Sequence, residues 1–396
     1  MKRASAFVLA LLLTLCLLPT GALAAKEQVV NVYNWGQYIS DGSDGYLDVN
    51  AAFTEATGIK VNYMTFDSNE SMYTKLKTGG SAYNVIIPSD YMIARLIDED
   101  MLLPLNFDNI PNYQYIDEAY RNTAYDPDNR YSVPYTWGTT GVIYNSAVVD
   151  EADAGSWDLL WNEKYAGKIL MFDNPRDAFA IAELRLGQSV NTDDPDELRA
   201  AADLLIDQKL LVQSYVMDQI FDRMERGEAW VAPYYAGDYL LMVQENPDLR
   251  FYFPEEGFNL FIDAMCIPTC CQNKEAAEAY INFLCSPEVS GQNLEYLGYS
   301  TPISAARAYM DESVTGSEIA YPSAETLAAG QSFNFLETSV NQLMDSLWLE
   351  VKTYGGVSTV QGACMIAVVV AALLALAVRR IRTRRRLRRR CAKWKA

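Results

Sequence analysis

The sequence has no histidine among its 396 residues, and its cysteines are few. Without histidine there is no Ser-His-Asp triad, no Cys-His pair and no histidine-ligated metal. Between the two terminal segments only four cysteines occur, none of them in a C-x-x-C pair: Cys266, Cys270, Cys271 and Cys285. We therefore expect neither a metal site nor a cofactor. Whether these thiols are paired or free stays open, because export permits disulfides.

Basic residues are scarce in the central part of the chain. Of the 32 lysines and arginines, 13 lie in the two terminal segments, which hold no acidic residue. The segment between them therefore carries 19 basic and 51 acidic residues, a net charge of −32. Solubility alone accounts for such a charge, but an acidic surface also repels anions and attracts cations. The composition thus favours a cationic partner over an anionic one.

The first segment has the features of a secretory signal. Lys2 and Arg3 precede an apolar run from Ala6 to Leu18, and small residues follow at Ala22-Leu23-Ala24. We predict a signal peptide at residues 1–24 that is removed on export. Cys16 lies inside the apolar run beside bulky leucines, so no lipid attachment is expected there.

The last segment has the features of a membrane anchor. Gly362 to Val378 is a run of 17 residues without a charge, close to the shortest helix that crosses a bilayer. Eleven lysines and arginines follow it, and basic residues collect on the cytoplasmic flank of a span. We predict a linker at 353–361, a transmembrane helix at 362–378 and a basic cytoplasmic tail at 379–396. The rest of the mature chain is then extracytoplasmic, where no nucleic-acid partner is expected.

Short β-rich runs alternate with helical ones through most of the external segment. Strands are predicted at Val29 to Tyr33, Ile59 to Met64, Val85 to Pro88, 250–263 and 264–268. Helices are predicted at Tyr46 to Thr57, Ser68 to Thr78, Met92 to Asp100 and Lys274 to Leu284, and residues 323–354 are predicted to be mainly helical. This alternation is typical of an α/β fold that binds ligands at the carboxyl ends of parallel strands. Because single cores seldom exceed about 250–300 residues, we expect two lobes with a cleft between them.

Aromatic and acidic residues follow several of these strands. The aromatic ones are Trp35, Tyr38, Tyr91, Trp137, Tyr234 and Tyr235, and the acidic ones are Asp173, Asp177, Asp238 and Asp263. A ring face attracts an ammonium group, and a carboxylate adds a charge-assisted hydrogen bond to it. Each such residue by itself is more often part of a core or a surface. Composition and spacing therefore indicate an exported α/β protein that binds a cation.

Ordered motifs then indicate a family. They are Tyr33-Asn34-Trp35-Gly36-Gln37-Tyr38, Ser68-Asn69-Glu70-Ser71-Met72-Tyr73, Val85-Ile86-Ile87-Pro88-Ser89, Val133-Pro134-Tyr135-Thr136-Trp137-Gly138, Gly298-Tyr299-Ser300-Thr301-Pro302, and Tyr321-Pro322 followed by Ala324-Glu325-Thr326. In this order, from about Val30 to about Glu350, they resemble bacterial spermidine/putrescine-binding proteins of polyamine ABC transporters.

The resemblance implies the periplasmic-binding-protein type II fold, in which two lobes close on a ligand. The implied lobes are 27–138 with 262–305, and 139–261 with 306–352, joined by crossovers near Trp137–Gly141 and Leu260–Asp263. The implied ligand-binding residues are Trp35, Tyr38, Ser89, Tyr91, Asn174, Asp177, Tyr235, Asp238, Phe261, Asp263 and Tyr299. Asn174 departs from the family, which has an acid there, and Tyr235 and Phe261 stand where many relatives have tryptophan. The preferred polyamine therefore stays open.

We predict a monomeric solute-binding component, not an enzyme, that captures a polyamine by cleft closure and delivers it to membrane permease subunits. Asp263 and Asp238 would neutralise ammonium groups, with Asp177 near the other end of the ligand. Two alternatives are a polyamine sensor that signals through the basic tail, and a binder of another small cationic solute. An enzyme using the carboxylates Asp173 and Asp177 is disfavoured, although carboxylates alone serve in glycoside hydrolysis.

Overall fold

A computed structural model describes residues 28–79 and 82–355. The ten strands of these ranges are β1 (Val29–Trp35), β2 (Lys60–Phe66), β3 (Val85–Ile86), β4 (Ser132–Asn145), β5 (Ile169–Phe172), β6 (Val212–Val216), β7 (Val231–Tyr235), β8 (Leu249–Tyr252), β9 (Phe258–Cys266) and β10 (Gly330–Gln331). The α-helices are α1 (Val49–Thr57), α2 (Asn69–Thr78), α3 (Asp90–Asp98), α4 (Pro175–Arg185), α5 (Pro195–Gln208), α6 (Ile220–Glu225), α7 (Ala236–Glu245), α8 (Lys274–Leu284), α9 (Pro287–Leu297), α10 (Glu312–Thr315), α11 (Ala324–Leu327) and α12 (Thr338–Thr353). Short 3₁₀ turns join several of them.

The strands form one continuous order, β2-β1-β3-β9-β4-β7-β5-β6, with β10 beside β9 and β8 beside β4. Strands β1, β2 and β3 are parallel, and so are β5, β6 and β7. The two long strands β4 and β9 are antiparallel and lie between these groups. The sheet therefore has two parallel halves, and the chain passes between them along its central strands.

The partner of β4 changes in the middle of the strand. Its first part pairs with β9 as far as Thr139 opposite Leu260. From Thr140 onward it pairs with β7, and from Val142 also with β8. This change lies within the two segments that the resemblance marks as crossovers.

Local signals in the sequence explain where several helices begin and end. Ser68 caps α2 through a reciprocal capping box with Ser71. Gly58 ends α1 in the left-handed conformation, which glycine adopts without a Cβ clash. Pro175 is the first residue of α4, where its missing N–H is not needed. Helix α8 has the predicted bounds, and α1, α2 and α3 lie inside the predicted helices or within two residues of them.

One predicted helical region is wrong in its middle. Between α11 and α12 the chain is extended, and Gly330–Gln331 pairs with β9. Phe333 follows this short strand and is buried. The helical prediction failed because the polar residues here pair with an existing strand edge, which no local pattern shows.

Some predictions fall outside the described residues. The predicted signal peptide, the span at 362–378 and the tail at 379–396 all lie there. Within residues 28–79 and 82–355, no helix combines the length and apolar character needed to cross a bilayer.

Cys266, Cys270, Cys271 and Cys285 are all free thiols, and the first and last of them are buried.

Gly141 shows how tightly the second half of the sheet is packed. A Cβ atom at this position of β4 would lie 2.6 Å from the backbone oxygen of Tyr252 and would overlap the ring of Phe251. Strand pairing holds that oxygen in place, so the crowding is not relieved by a rotamer change.

We therefore expect Gly141→Ala to lower the free energy of unfolding by about 1–3 kcal/mol. Urea denaturation followed by circular dichroism measures this change. The control is Val148→Ala, because Val148 is exposed and lies just beyond the same strand. We expect this substitution to lower the free energy of unfolding by less than about 0.5 kcal/mol. Equal unfolding midpoints for the two variants would contradict this account of the packing.

Candidate functional site

A cleft of about 660 Å³, counting the open solvent at its mouth, lies where the carboxyl ends of the two parallel halves face each other. All the residues implied by the resemblance line it: Trp35, Tyr38, Ser89, Tyr91, Asn174, Asp177, Tyr235, Asp238, Phe261, Asp263 and Tyr299. Most of them follow the ends of β1, β3, β5 and β7, while Phe261 and Asp263 belong to the central strand β9. The sheet topology therefore brings together side chains that are far apart in sequence.

Asp263 lies at the centre of the wall and is almost completely buried. The hydroxyl of Tyr38 donates a hydrogen bond of 2.6 Å to its Oδ2 atom. Its Oδ1 atom has no hydrogen-bond partner within the described residues, and the same holds for Oδ1 of the buried Asn259, which lies four residues earlier on β9. Burial raises the pKa of Asp263 to about 6, although the hydroxyls of Tyr38 and Ser89 stabilise the carboxylate. Both orphan atoms are acceptors, so the side of the cavity formed by β9 is suited to hydrogen-bond donors.

Asp177 is held by two neighbours at the start of helix α4. Its Oδ2 atom accepts hydrogen bonds from the Asn174 amide at 2.6 Å and from the Tyr235 hydroxyl at 2.9 Å. Burial, with smaller contributions from the nearby acids Glu70 and Asp263, raises its pKa to about 7. Asn174 uses its own oxygen to cap α4, at 2.9 Å from the backbone nitrogen of Arg176. Asn174 therefore lines the cavity mainly as a support for Asp177.

A second acidic pair lies elsewhere in the wall. Burial raises the pKa of Asp238 to about 8, opposed by a hydrogen bond from Tyr299, and the nearby Asp218 raises it further. No lysine or arginine contributes to the pKa of Asp238 within the described residues. Four carboxyl groups therefore line the cavity, and the pKa of Asp177 responds to Asp263 as that of Asp238 responds to Asp218.

Aromatic rings form a continuous part of the wall. The ring centroid of Phe261 lies 5.4 Å from that of Tyr235 and 6.3 Å from that of Tyr299. Tyr38 meets Tyr299 edge to face at 5.3 Å. Such rings offer both an apolar surface for methylene groups and a π face for a cation.

The polar groups of the first half are held by Asn69, the first residue of helix α2. Its amide donates to the Ser89 hydroxyl and to the Tyr91 hydroxyl, each at 3.1 Å. Tyr91 in turn donates to Glu70 at 2.9 Å. Ser89 and Tyr91 are therefore fixed in orientation before any ligand arrives.

The sequence pattern missed several residues of the wall. They are Gly36, Gln37, Asn69, Met217, Asp218, Phe221, Asn259 and Phe333. Asp218 follows β6, as other wall residues follow their strands, so the same rule could have found it. Phe333 gave no signal, because its position depends on the unexpected strand β10. Two candidates lie outside the wall: Asp173 is exposed, and Trp137 is buried with its indole nitrogen donating to the Thr301 carbonyl.

A metal site is not apparent in the described part of the chain, where no three acidic or cysteine side chains cluster suitably.

The fold and the site together define a class of protein. The sheet has two parallel halves joined by central strands, and a ligand-sized cleft lies at their carboxyl ends. These are the features of a two-lobed solute-binding protein of the periplasmic-binding-protein class. Comparisons with known proteins agree with this class.

Residues 49–321 match the family described as bacterial extracellular solute-binding protein. The chain is 35% identical over 315 residues to the spermidine/putrescine-binding periplasmic protein of Escherichia coli, covering 79% of this chain and 88% of that protein. It is 30% identical over 350 residues to the putrescine-binding periplasmic protein SpuD of Pseudomonas aeruginosa, covering 84% and 94%. This chain therefore belongs to the bacterial extracellular solute-binding protein family.

Solved structures support the same fold. A putative spermidine/putrescine ABC transporter protein from Listeria monocytogenes superposes with a TM-score of 0.78 at 34% identity, covering 83% of this chain and all of that one. The substrate-binding protein PotD from Streptococcus pneumoniae gives 0.69 at 37% identity, covering 83% and 99%. The predicted two-lobed α/β fold is confirmed.

The raised carboxyl pKa values give the unfolding free energy a defined pH dependence. Asp177 has a pKa of about 7 in the folded chain, above the unfolded value, so the folded state binds more protons between these values. Its contribution to stability is present near pH 4 and is lost as the pH rises through about 7. The free energy of unfolding of the wild type should therefore fall between pH 5 and pH 8. We expect this fall to be about 1–3 kcal/mol smaller in Asp177→Asn, because its side chain cannot ionise.

Urea denaturation at both pH values measures this difference. Asp173→Asn is the matched control, because Asp173 is exposed and lies four residues away outside the cavity. We expect the control to follow the wild type. If the unfolding free energy of Asp177→Asn had the same pH dependence as that of the wild type, ionisation of Asp177 would not destabilise the folded protein, which would contradict this account.

Proposed function

We propose that this chain is the exported polyamine-binding component of an ABC transporter, with a ligand such as spermidine or putrescine. The observation that carries the proposal is the pair of buried acceptors Asp263 Oδ1 and Asn259 Oδ1, which lack partners within the described residues and line the cavity. A ligand that donates hydrogen bonds and carries positive charge satisfies both. The names of the similar proteins from Escherichia coli and Pseudomonas aeruginosa support the same ligand class.

The distribution of charge and rings suits an alkyl chain with an ammonium group at each end. Four carboxyl groups line the cavity, and Tyr235, Phe261 and Tyr299 present rings in the same wall. Methylene groups lose water against the rings, while ammonium groups form charge-assisted hydrogen bonds to the carboxylates. An anion would meet four carboxylates and is disfavoured.

Binding would bring the two lobes together because the ligand contacts both. In this proposal the lobes are 27–138 with 262–305, and 139–261 with 306–352. Tyr38 and Asp263 belong to the first, and Asp177 and Tyr235 to the second. A ligand shifts the open and closed populations only through its different affinities for them, and contacts to both lobes exist only in the closed form. The closed protein would then dock on the permease subunits as a monomer, with no catalytic step.

Asp263 provides the sharpest test of the ligand class. We expect calorimetric titration of the protein with spermidine or putrescine to give one-to-one binding, and Asp263→Asn to weaken it about 10- to 100-fold, because a buried charge-assisted hydrogen bond is lost. Asp173→Asn is the control and should bind as the wild type does. Unchanged affinity in Asp263→Asn would show the site assignment to be wrong. Absence of heat and of any thermal shift with either amine would rule out the ligand class.

We further propose that residues 362–378 anchor the protein in the cell membrane, with the basic tail at 379–396 inside. The support is the uncharged run and its basic flank. We expect the full chain to sediment with membranes and a chain ending at residue 355 to appear in the soluble exported fraction. A chain ending at residue 378 is the control for the tail and should stay with the membranes. A soluble full-length chain would exclude the anchor.

A further inference from the structure

Asp218 is an acidic residue of the cavity wall that no sequence motif indicated. It follows β6 and lies at the exposed rim, whereas Gly36 follows β1. Strands β1 and β6 belong to different parallel halves of the sheet. The Asp218 carboxylate nevertheless lies directly against Gly36, so a charged group of one half meets the backbone of the other.

A side chain at position 36 would have to displace this carboxylate. A Cβ atom added to Gly36 would overlap Oδ2 of Asp218 and lie 3.3 Å from its Cγ. The next residue, Gln37, has a φ of 46° in the left-handed region, which non-glycine residues seldom adopt. A turn held in this conformation costs energy and persists where its surroundings require it. Both features lie in the wall of the cavity.

The surroundings of Asp218 are acidic. Its charged neighbours within the described residues are Asp67, which is exposed and follows β2, and Asp238. No lysine or arginine of these residues forms an ion pair with it. Like charges so close together repel each other, and a ligand cation bound beside Asp218 and Asp238 would relieve that repulsion.

We propose that Asp218 is a further ligand-binding and specificity-determining residue that binds one terminal ammonium group together with Asp238, and that Gly36 makes room for its carboxylate. This inference rests on the proposed polyamine function and deepens it. Asp177 receives the other end of the ligand. The site therefore selects amines that carry a positive charge at both ends.

Calorimetric titration of the full chain with spermidine tests the role of the charge. We expect Asp218→Asn to weaken binding about tenfold, because one charge-assisted hydrogen bond is lost, and to reduce the dependence of affinity on salt. A contact that only shapes the fold would leave the salt dependence unchanged. The control is Asp222→Asn, an exposed residue of the same segment whose carboxylate pairs with Arg226.

A double-mutant cycle tests the contact with Gly36. We expect Gly36→Ala to weaken spermidine binding about tenfold in the wild type, because the new methyl group displaces the carboxylate. The same change should have little effect in an Asp218→Ala background, where the methyl group has room. Thermal unfolding of each variant checks that it is folded.

The outcomes separate this inference from the proposed function. If the wild type binds spermidine and Asp218→Asn binds equally well, this inference is overturned and the proposed function stands. An equal effect of Gly36→Ala in both backgrounds also overturns it. If the wild type binds neither spermidine nor putrescine, both proposals fall together.

Discussion

Carboxyl groups buried in an aromatic wall, with little positive charge of the chain's own, are the constraint on which this site depends. Asp177 and Asp263 are almost completely buried, and burial raises the pKa of each. An ionised carboxylate in such a place is unstable unless it is paired. The ligand-free protein therefore tends to keep protons there. A ligand cation removes this penalty, so part of the binding free energy is relief of a cost that folding has imposed.

The rest of the fold keeps these groups in place in spite of that cost. Asn174 caps a helix and donates to Asp177, while Tyr38 donates to Asp263. Behind Asp177 lies the buried guanidinium of Arg176, 4.6 Å from the ring of Phe333 and 5.8 Å from that of Tyr91. This charge stabilises the ionised form of Asp177 without entering the cavity wall.

Arg176 also explains how the late part of the chain reaches the site. Its Nη2 donates to Oδ1 of Asn191 at 2.8 Å and to the carbonyl of Asn334 at 3.3 Å. The Asn191 amide in turn donates to the Ser332 carbonyl. Phe333 is thus held over the cavity from both sides by hydrogen bonds to its neighbours. The one buried cation beside the acidic wall in the described chain serves as a support for that wall.

The sequence predicted the fold and much of the site, for identifiable physical reasons. Helix caps such as Ser68 and Gly58 act locally, so the bounds of α1 and α2 could be predicted closely. Residues after strand ends meet at one edge of a parallel sheet, which brought the acidic and aromatic candidates into one cavity. Phe333 could not be predicted, because the strand before it exists only through pairing with β9. Trp137 was misplaced because no strand ends there: β4 continues from Ser132 to Asn145, so Trp137 lies in its interior.

The amide at position 174 and the acid at position 218 have a joint consequence for charge. A carboxylate at 174 would lie against Asp177, whereas the amide donates to it and adds no negative charge. Asp218 adds a carboxylate beside Asp238, where nothing basic compensates it within the described residues. Relative to a site with an acid at 174, negative charge is therefore shifted away from the Asp177 end. A ligand with unequal ends would bind in one orientation. The end with more positive charge or more hydrogen-bond donors would lie beside Asp238, because its interactions with the carboxyl groups are most favourable there.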